Sequence, residues 1–256
     1  MANQSQPANS AAESKPRKLA DIMAELLDPG EEHPFFQPMK HRLDEDAARE
    51  QFKSIVSAIG PKYARCTVDN FNLYPCGQGE LTKAQTDARG KIREWMGKME
   101  QRIAGGGGLL LHGHVGTGKD HLMAACMYHA TLVCRYTVQW MEGTGLHQEL
   151  RGMSWDEHST GQAERELIKR YRKPQILAIS DPIPPGRSLT PRGLDVLFSI
   201  LDRRYRDGKS TWATLNVTSS EEAERGGAAA LIDRLRDGSL VVPCNWKSYR
   251  AYKALR

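Results

Sequence analysis

The residues with the clearest chemical potential form one short run, Gly113-His114-Val115-Gly116-Thr117-Gly118-Lys119-Asp120. The spacing G-x-x-x-x-G-K is that of a loop that cradles the phosphates of a nucleoside triphosphate. The chemistry needs these residue types. Glycines let backbone N–H groups turn inward around a phosphate without a Cβ in the way. Lys119 adds a full positive charge for the β- and γ-oxygens. A helix starting just after the loop would point its positive dipole end at the same place. The last position departs from the pattern. Ser or Thr stands there in the usual motif, and its hydroxyl binds Mg²⁺. Here the residue is Asp120. A carboxylate also ligates Mg²⁺, but it brings negative charge close to the phosphates. Binding survives that change more easily than fast hydrolysis does.

A nucleotide site also needs an acid at the end of a neighbouring strand. Gln175-Ile176-Leu177-Ala178-Ile179-Ser180-Asp181-Pro182 supplies one. The usual pattern ends in two acids, the first for Mg²⁺ and the second for the attacking water. With a single acid, two assignments stay open. Either Ser180 fills the first slot and Asp181 activates water, or Asp181 holds the metal and Pro182 has replaced the base. His112, His114, His121 and His129 cluster in the sequence. They flank the loop or fall on the helix after it, which disfavours a metal site.

The elements that must position these residues can be read from periodicity. Leu109-Leu110-Leu111 reads as a buried strand and Asp120–Thr131 as the helix behind the loop. Further strands are expected at 135–141, 176–179, 211–215 and 240–242. Helices are expected at 82–101, 164–173, 192–205 and 228–236. Strands alternating with helices imply an α/β fold with a parallel sheet between helical layers. Gly105–Gly108 reads as a flexible run. Upstream, residues 1–18 have the composition of a disordered tail. Residues 19–59 carry a small helical N-terminal segment, with Leu19, Ile22, Met23, Leu26 and Leu27 on one face and a second helix over 44–59. Gly60-Pro61 suggests the boundary with an α/β domain over 60–256.

The bulk properties narrow the field. The chain has 256 residues and a formal net charge of +5, a mild basic excess that permits nucleic-acid contact without requiring it. No apolar run approaches the ~18 residues of a membrane span, and the N-terminus does not read as a signal peptide. The five cysteines are widely spaced with no C-x-x-C pair, which fits a reducing cytoplasm rather than a disulfide or zinc framework.

In motif order, the sequence resembles the AAA+ ATPases of the DnaC-like and IstB-like type. The resemblance covers roughly residues 60–256. Gly113–Leu122 is similar to that family's phosphate loop, including His121. Tyr63–Phe71 resembles its opening segment, which implies a place near the adenine for Tyr63 and Phe71. Asn216, in Ala213-Thr214-Leu215-Asn216, falls at sensor 1. Arg234, in Leu231–Arg236, falls at the arginine finger. Cys244-Asn245-Trp246-Lys247-Ser248-Tyr249-Arg250 is similar to the DnaC terminal motif, with Arg250 at sensor 2.

The resemblance implies ATP and Mg²⁺ as ligands, and Asp120 and Asp181 are the candidate Mg²⁺ residues from their own chemistry. It also implies a nucleotide-dependent homo-oligomer, since an arginine finger usually acts on a neighbouring subunit. Single-stranded DNA is the implied nucleic-acid partner. Two stretches that mix basic residues with tyrosine, 169–173 and 203–206, are the candidate contacts. A replicative-helicase loader gripping its helicase through the N-terminal segment is the first reading. An IstB-like transposition helper partnered with a transposase is the second. A non-hydrolysing, nucleotide-switched scaffold is the third.

Overall fold

The computed structural model describes residues 42–71, 82–152, 157–183, 190–219 and 229–249. The expected tail, the expected helix at 19–27 and Arg250 lie outside these residues. The first described helix, α1 (Glu45–Ile59), starts where Asp44 accepts the backbone N–H of Ala47 at 2.8 Å, and it stops at Gly60, whose φ is 103°. A short 3-10 turn follows at Pro61–Tyr63. Helix α2 (Lys83–Gly97) is opened by a reciprocal cap between Thr82 and Gln85. The single helix expected over 82–101 is in fact two. Lys98 leaves helical geometry, and α3 (Met99–Ala104) follows with Met99 and Ile103 buried.

The expected α/β pattern then holds. Strand β1 (Leu109–His112) leads into α4 (Lys119–Leu132). Next come β2 (Val138–Glu142), α5 (Gly143–Gly152), α6 (Glu157–Arg172) and β3 (Ile176–Ser180). The chain continues through α7 (Pro191–Arg206), β4 (Ser210–Leu215), α8 (Ala229–Arg236) and β5 (Leu240–Pro243). Helix α5 was not expected. It begins directly at the end of β2 on a Gly-Thr-Gly sequence that reads locally as a turn, and burial of Leu146 and Leu150 overrides that reading. The glycine run before β1 is packed rather than flexible. A Cβ on Gly108 would fall 2.3 Å from the Thr211 carbonyl oxygen, so β1 and β4 can close up only around a glycine.

The five strands are all parallel in the order β2-β3-β4-β1-β5. Strand β4 therefore lies between β1 and β3. Alternation along each strand sends side chains to opposite faces. Leu110, Leu177, Ile179, Ala213 and Leu215 join the inner sides of α5, α6, α7 and α8 in one core. The opposite face receives α4, and Trp95 of α2 packs edge-on to Trp212 of β4 with ring centroids 5.3 Å apart. Helix α4 is buried over most of Leu122–Thr131 because α1 covers its outer side. Phe52 of α1 meets Tyr128 of α4 at 4.9 Å, and the Gln51 amide donates to the Val138 carbonyl at 2.9 Å. The stretch 45–59 thus spends its apolar face, Ala48 and Ile55 included, within the same unit as the sheet. Parallel strands bring His112, Ser180, Leu215 and Pro243 to one end of the sheet, where ligands of open α/β sheets bind.

Candidate nucleotide-binding site

The loop between β1 and α4 begins at Gly113, whose N–H donates to the Leu215 carbonyl at 3.1 Å. Positive φ at Gly113, Gly116 and Gly118 (140°, 80° and 86°) bends it into a cup. The glycines at its two ends are sterically required. A Cβ on Gly113 would lie 2.4 Å from the Cys244 oxygen, and one on Gly118 would lie 2.7 Å from the Phe71 ring. Thr117 Oγ1 donates to the His114 carbonyl at 2.9 Å and fixes the curve. Lys119 is buried in the first turn of α4, and its Nζ donates to the carbonyls of Gly113 at 2.9 Å and His114 at 2.7 Å. The ammonium is therefore folded back across the loop. Val115 at the crown is exposed.

Asp120 turns toward the neighbouring strands. Ser180 Oγ at the end of β3 donates to Asp120 Oδ1 at 3.0 Å, and Thr214 Oγ1 on β4 donates to the same oxygen at 3.2 Å. Because β4 lies between β1 and β3, Thr214 reaches both partners, and its Oγ1 is 3.3 Å from Ser180 Oγ. Asp181 follows with φ 48°, a left-handed conformation that costs about 1–2 kcal/mol outside glycine. Strain of this kind gathers at functional sites. Its N–H donates to the Thr214 carbonyl at 3.1 Å. Asn216 stands one residue beyond the end of β4, half-buried, at the same end of the sheet.

A layer of aromatic residues backs the loop. Phe71 is buried and meets His121, Tyr249 and Trp246 edge-on, with centroids 5.4, 5.9 and 6.3 Å away. Trp246 Nε1 donates to the Thr117 carbonyl at 2.9 Å, and the Tyr249 N–H donates to the Gly116 carbonyl at 2.8 Å. Gln85 of α2 donates to the Tyr249 hydroxyl at 3.1 Å. His121 Nε2 lies 2.9 Å from the Thr67 carbonyl, and burial holds its pKa below the ordinary histidine value. His112 is shifted the same way, also chiefly by burial. Among the described residues no group of three His, Cys, Asp or Glu comes together.

Tyr63 is placed differently from Phe71. Its carbonyl accepts from the Tyr128 hydroxyl at 3.0 Å, and Tyr128 lies about two and a half turns along α4 from Lys119. The parts missed from sequence are Thr214, Trp246, Tyr249 and Gln85. The first three lay inside motifs visible in the sequence, but their contacts with the loop come from strand order and chain path.

Arg234 lies on α8, which runs down to the start of β5 and so to the end of the sheet opposite the phosphate loop. It stacks on Tyr205 and Phe198 at 5.1 and 5.9 Å and pairs with Asp202 at 3.4 Å. The two basic stretches are largely engaged within the chain. Arg204 is fully buried, and its guanidinium donates to the carbonyls of Tyr171, Pro174, Gln175 and Ser210. Burial pushes its pKa down to about 9. Arg170 pairs with Glu149, Arg172 with Asp207 at 2.5 Å and Arg206 with Asp202 at 2.9 Å. Lys169, Arg170, Lys173, Arg203 and Arg206 are the exposed cations of the two stretches, with Arg170 and Arg206 in the ion pairs just named.

Replication proteins of known structure are similar to this chain in fold. The DnaC helicase loader matches with a TM-score of 0.56 and 17% identity, over 72% of this chain and 99% of that one. DnaI matches with a TM-score of 0.54 and 18% identity, over 74% of this chain and 93% of that one. The replication initiator DnaA, bound to AMPPCP and single-stranded DNA, matches with a TM-score of 0.55 and 21% identity, over 74% of this chain. The chain shares the fold of these structures, a parallel sheet between helical layers. It spans about half, 51%, of that DnaA chain. No family model and no curated protein matches the sequence. Within this fold, Gly113–Asp120 is the loop between the first strand and its helix, and Asp181 and Asn216 follow the next two strands outward from it.

Proposed function

We propose that this AAA+ chain binds ATP at the Gly113–Asp120 loop and acts in DNA replication as a helicase loader similar to DnaC. The observation that carries the reading is the closed cup. Lys119 is folded across it, the glycines at its ends admit no side chain, and Phe71, Trp246 and Tyr249 lie over its back. Such a cup suits a triphosphate. Backbone N–H groups and the N-terminal end of α4 meet the oxygens, and Lys119 exchanges two carbonyls for phosphate. The donor set of Asp120, Ser180 and Thr214 at the mouth fits Mg²⁺, a hard cation that takes few protein ligands alongside phosphate oxygens and water. When bound there, Mg²⁺ would neutralise charge on the β- and γ-phosphates. Asp181, just beyond, would orient or deprotonate the attacking water, and Asn216 would hydrogen-bond it. Arg234 lies at the far end of the sheet from its own loop, so a role at the γ-phosphate needs a second copy of the chain and a nucleotide-dependent oligomer.

The loader reading is favoured over an initiator because the fold match extends over nearly all of DnaC and about half of DnaA. Single-stranded DNA would meet the exposed cations Lys169, Lys173 and Arg203, and a helicase would be gripped by the N-terminal segment. An IstB-like transposition helper is the alternative within the same fold. Steady-state ATP hydrolysis, with and without single-stranded DNA, tests the enzymatic part beside Asp181→Asn, which keeps a side chain tolerant of left-handed backbone. The reading expects DNA-stimulated turnover that Asp181→Asn lowers on the order of 100-fold or more. Tight ATP binding without turnover in any condition would instead favour a nucleotide-switched scaffold.

A further inference from the structure

The side chains at the mouth of the loop carry an inference that rests on the nucleotide reading and deepens it. In the usual arrangement the helix after the lysine offers a hydroxyl and the neighbouring strand offers an acid. Here the helix position is Asp120 and the strand position is Ser180. The two side chains are in direct contact at 3.0 Å, so they face one common point. We propose that the metal-side pair is exchanged in this protein, with Asp120 supplying the carboxylate and Ser180 the hydroxyl.

The exchange keeps one carboxylate and one hydroxyl at the mouth, so the charge presented to a cation is the same as in the usual pair. Two carboxylates at 3 Å would repel, and two hydroxyls would leave the cation's charge unmatched; this chain has neither. Thr214 completes the arrangement from the inserted strand. Its hydroxyl donates to the same Asp120 oxygen at 3.2 Å and touches Ser180 at 3.3 Å, so it holds the carboxylate in register with the strand end. The assignment also resolves the strand. Ser180 fills the first acidic slot, which leaves Asp181 in the second, where its left-handed backbone turns it out of the strand. The apparent loss of one acid from the strand and of the hydroxyl from the helix is thus a single compensated change.

The test is a reciprocal exchange in the full chain, read by binding rather than turnover. ATP affinity is titrated with Mg²⁺ and with EDTA for wild type, Asp120→Asn, Asp120→Ser, Ser180→Asp and the double variant D120S/S180D, with thermal unfolding as the folding control. Mn²⁺ in the presence of ATP is followed by electron paramagnetic resonance. The proposal expects tighter ATP binding with Mg²⁺ in wild type, loss of most of that enhancement in Asp120→Asn and Asp120→Ser, and its return in D120S/S180D. The restored enhancement should lie within roughly threefold of wild type, the non-additivity expected of residues in direct contact. Asp120→Asn keeps the acceptor for both hydroxyls and removes only the charge. If it retains the full Mg²⁺ enhancement, Asp120 is a structural acceptor and the proposal is overturned, whatever the double variant does. A folded D120S/S180D no better than the worse single variant overturns it as well. Wild type that binds ATP in neither condition sinks the nucleotide reading itself, and that result is distinct from both.

Discussion

Gly118 shows how closely single residues are held at this site. Its φ of 86° lies in the left-handed region, and the place of a Cβ is already occupied by Phe71 and Tyr249. Gly118→Ala is expected to cost about 1–2 kcal/mol in backbone strain alone, with displacement of the Phe71 ring in addition. Thermal unfolding should show a fall in midpoint of roughly 2–8 °C, together with weakened ATP binding. An unchanged midpoint would mean that the loop is open rather than backed by aromatic rings. Sequence reading reached this glycine and Lys119 because a phosphate cup demands them at fixed spacing. It could not reach Thr214, whose role depends on β4 lying between β1 and β3. Nor could it decide between Ser180 and Asp181, since local order along one strand does not say which side chain faces Asp120.

Among the elements, α7 carries the largest departure from its expected role. Its C-terminal turn, Arg203-Arg204-Tyr205-Arg206, reads in sequence as a basic surface for nucleic acid. Arg204 instead turns inward and gathers carbonyls from the α6–β3 connection and from the first residue of β4. It ties the ends of two helices to the sheet. Arg204→Met removes these donors and leaves buried carbonyls unpaired, at about 1–3 kcal/mol for each group left unsatisfied. Denaturant unfolding should therefore show a loss on the order of 3 kcal/mol or more. Arg203→Ala, one residue away and exposed, should stay within about 0.5 kcal/mol of wild type. Equal effects at the two positions would contradict the buried role. Helix periodicity exposed most element positions, because alternating apolar strands and amphipathic helices write a parallel sheet into the chain. It missed α5, where tertiary burial of Leu146 and Leu150 outweighs a local turn sequence.

At the scale of the whole molecule, four half-buried histidines share one electrostatic bias. His112, His121, His129 and His147 all have pKa values below the ordinary 6.5, chiefly through burial. A group with a depressed histidine pKa in the folded state binds its proton more readily when unfolded. Stability is then fully present above the unfolded value of 6.5 and falls as the pH drops below it. Unfolding midpoints should therefore decline on acidification from pH 7 toward pH 5, and His121→Gln should flatten part of that decline. A midpoint that rises over this range would contradict the burial of these rings.

The central claim is that the Gly113–Asp120 loop binds ATP through Lys119. Calorimetric titration of the full chain with Mg²⁺ and ATP, beside Lys119→Ala, tests it most directly. Losing hydrogen bonds to a charged group should cost about 1.5–3 kcal/mol, a fall in affinity on the order of 10- to 150-fold. A one-site isotherm in wild type that weakens by that factor in a folded Lys119→Ala variant is the predicted result. Equal ATP affinity in the two proteins, or no heat of binding in wild type, would contradict the account.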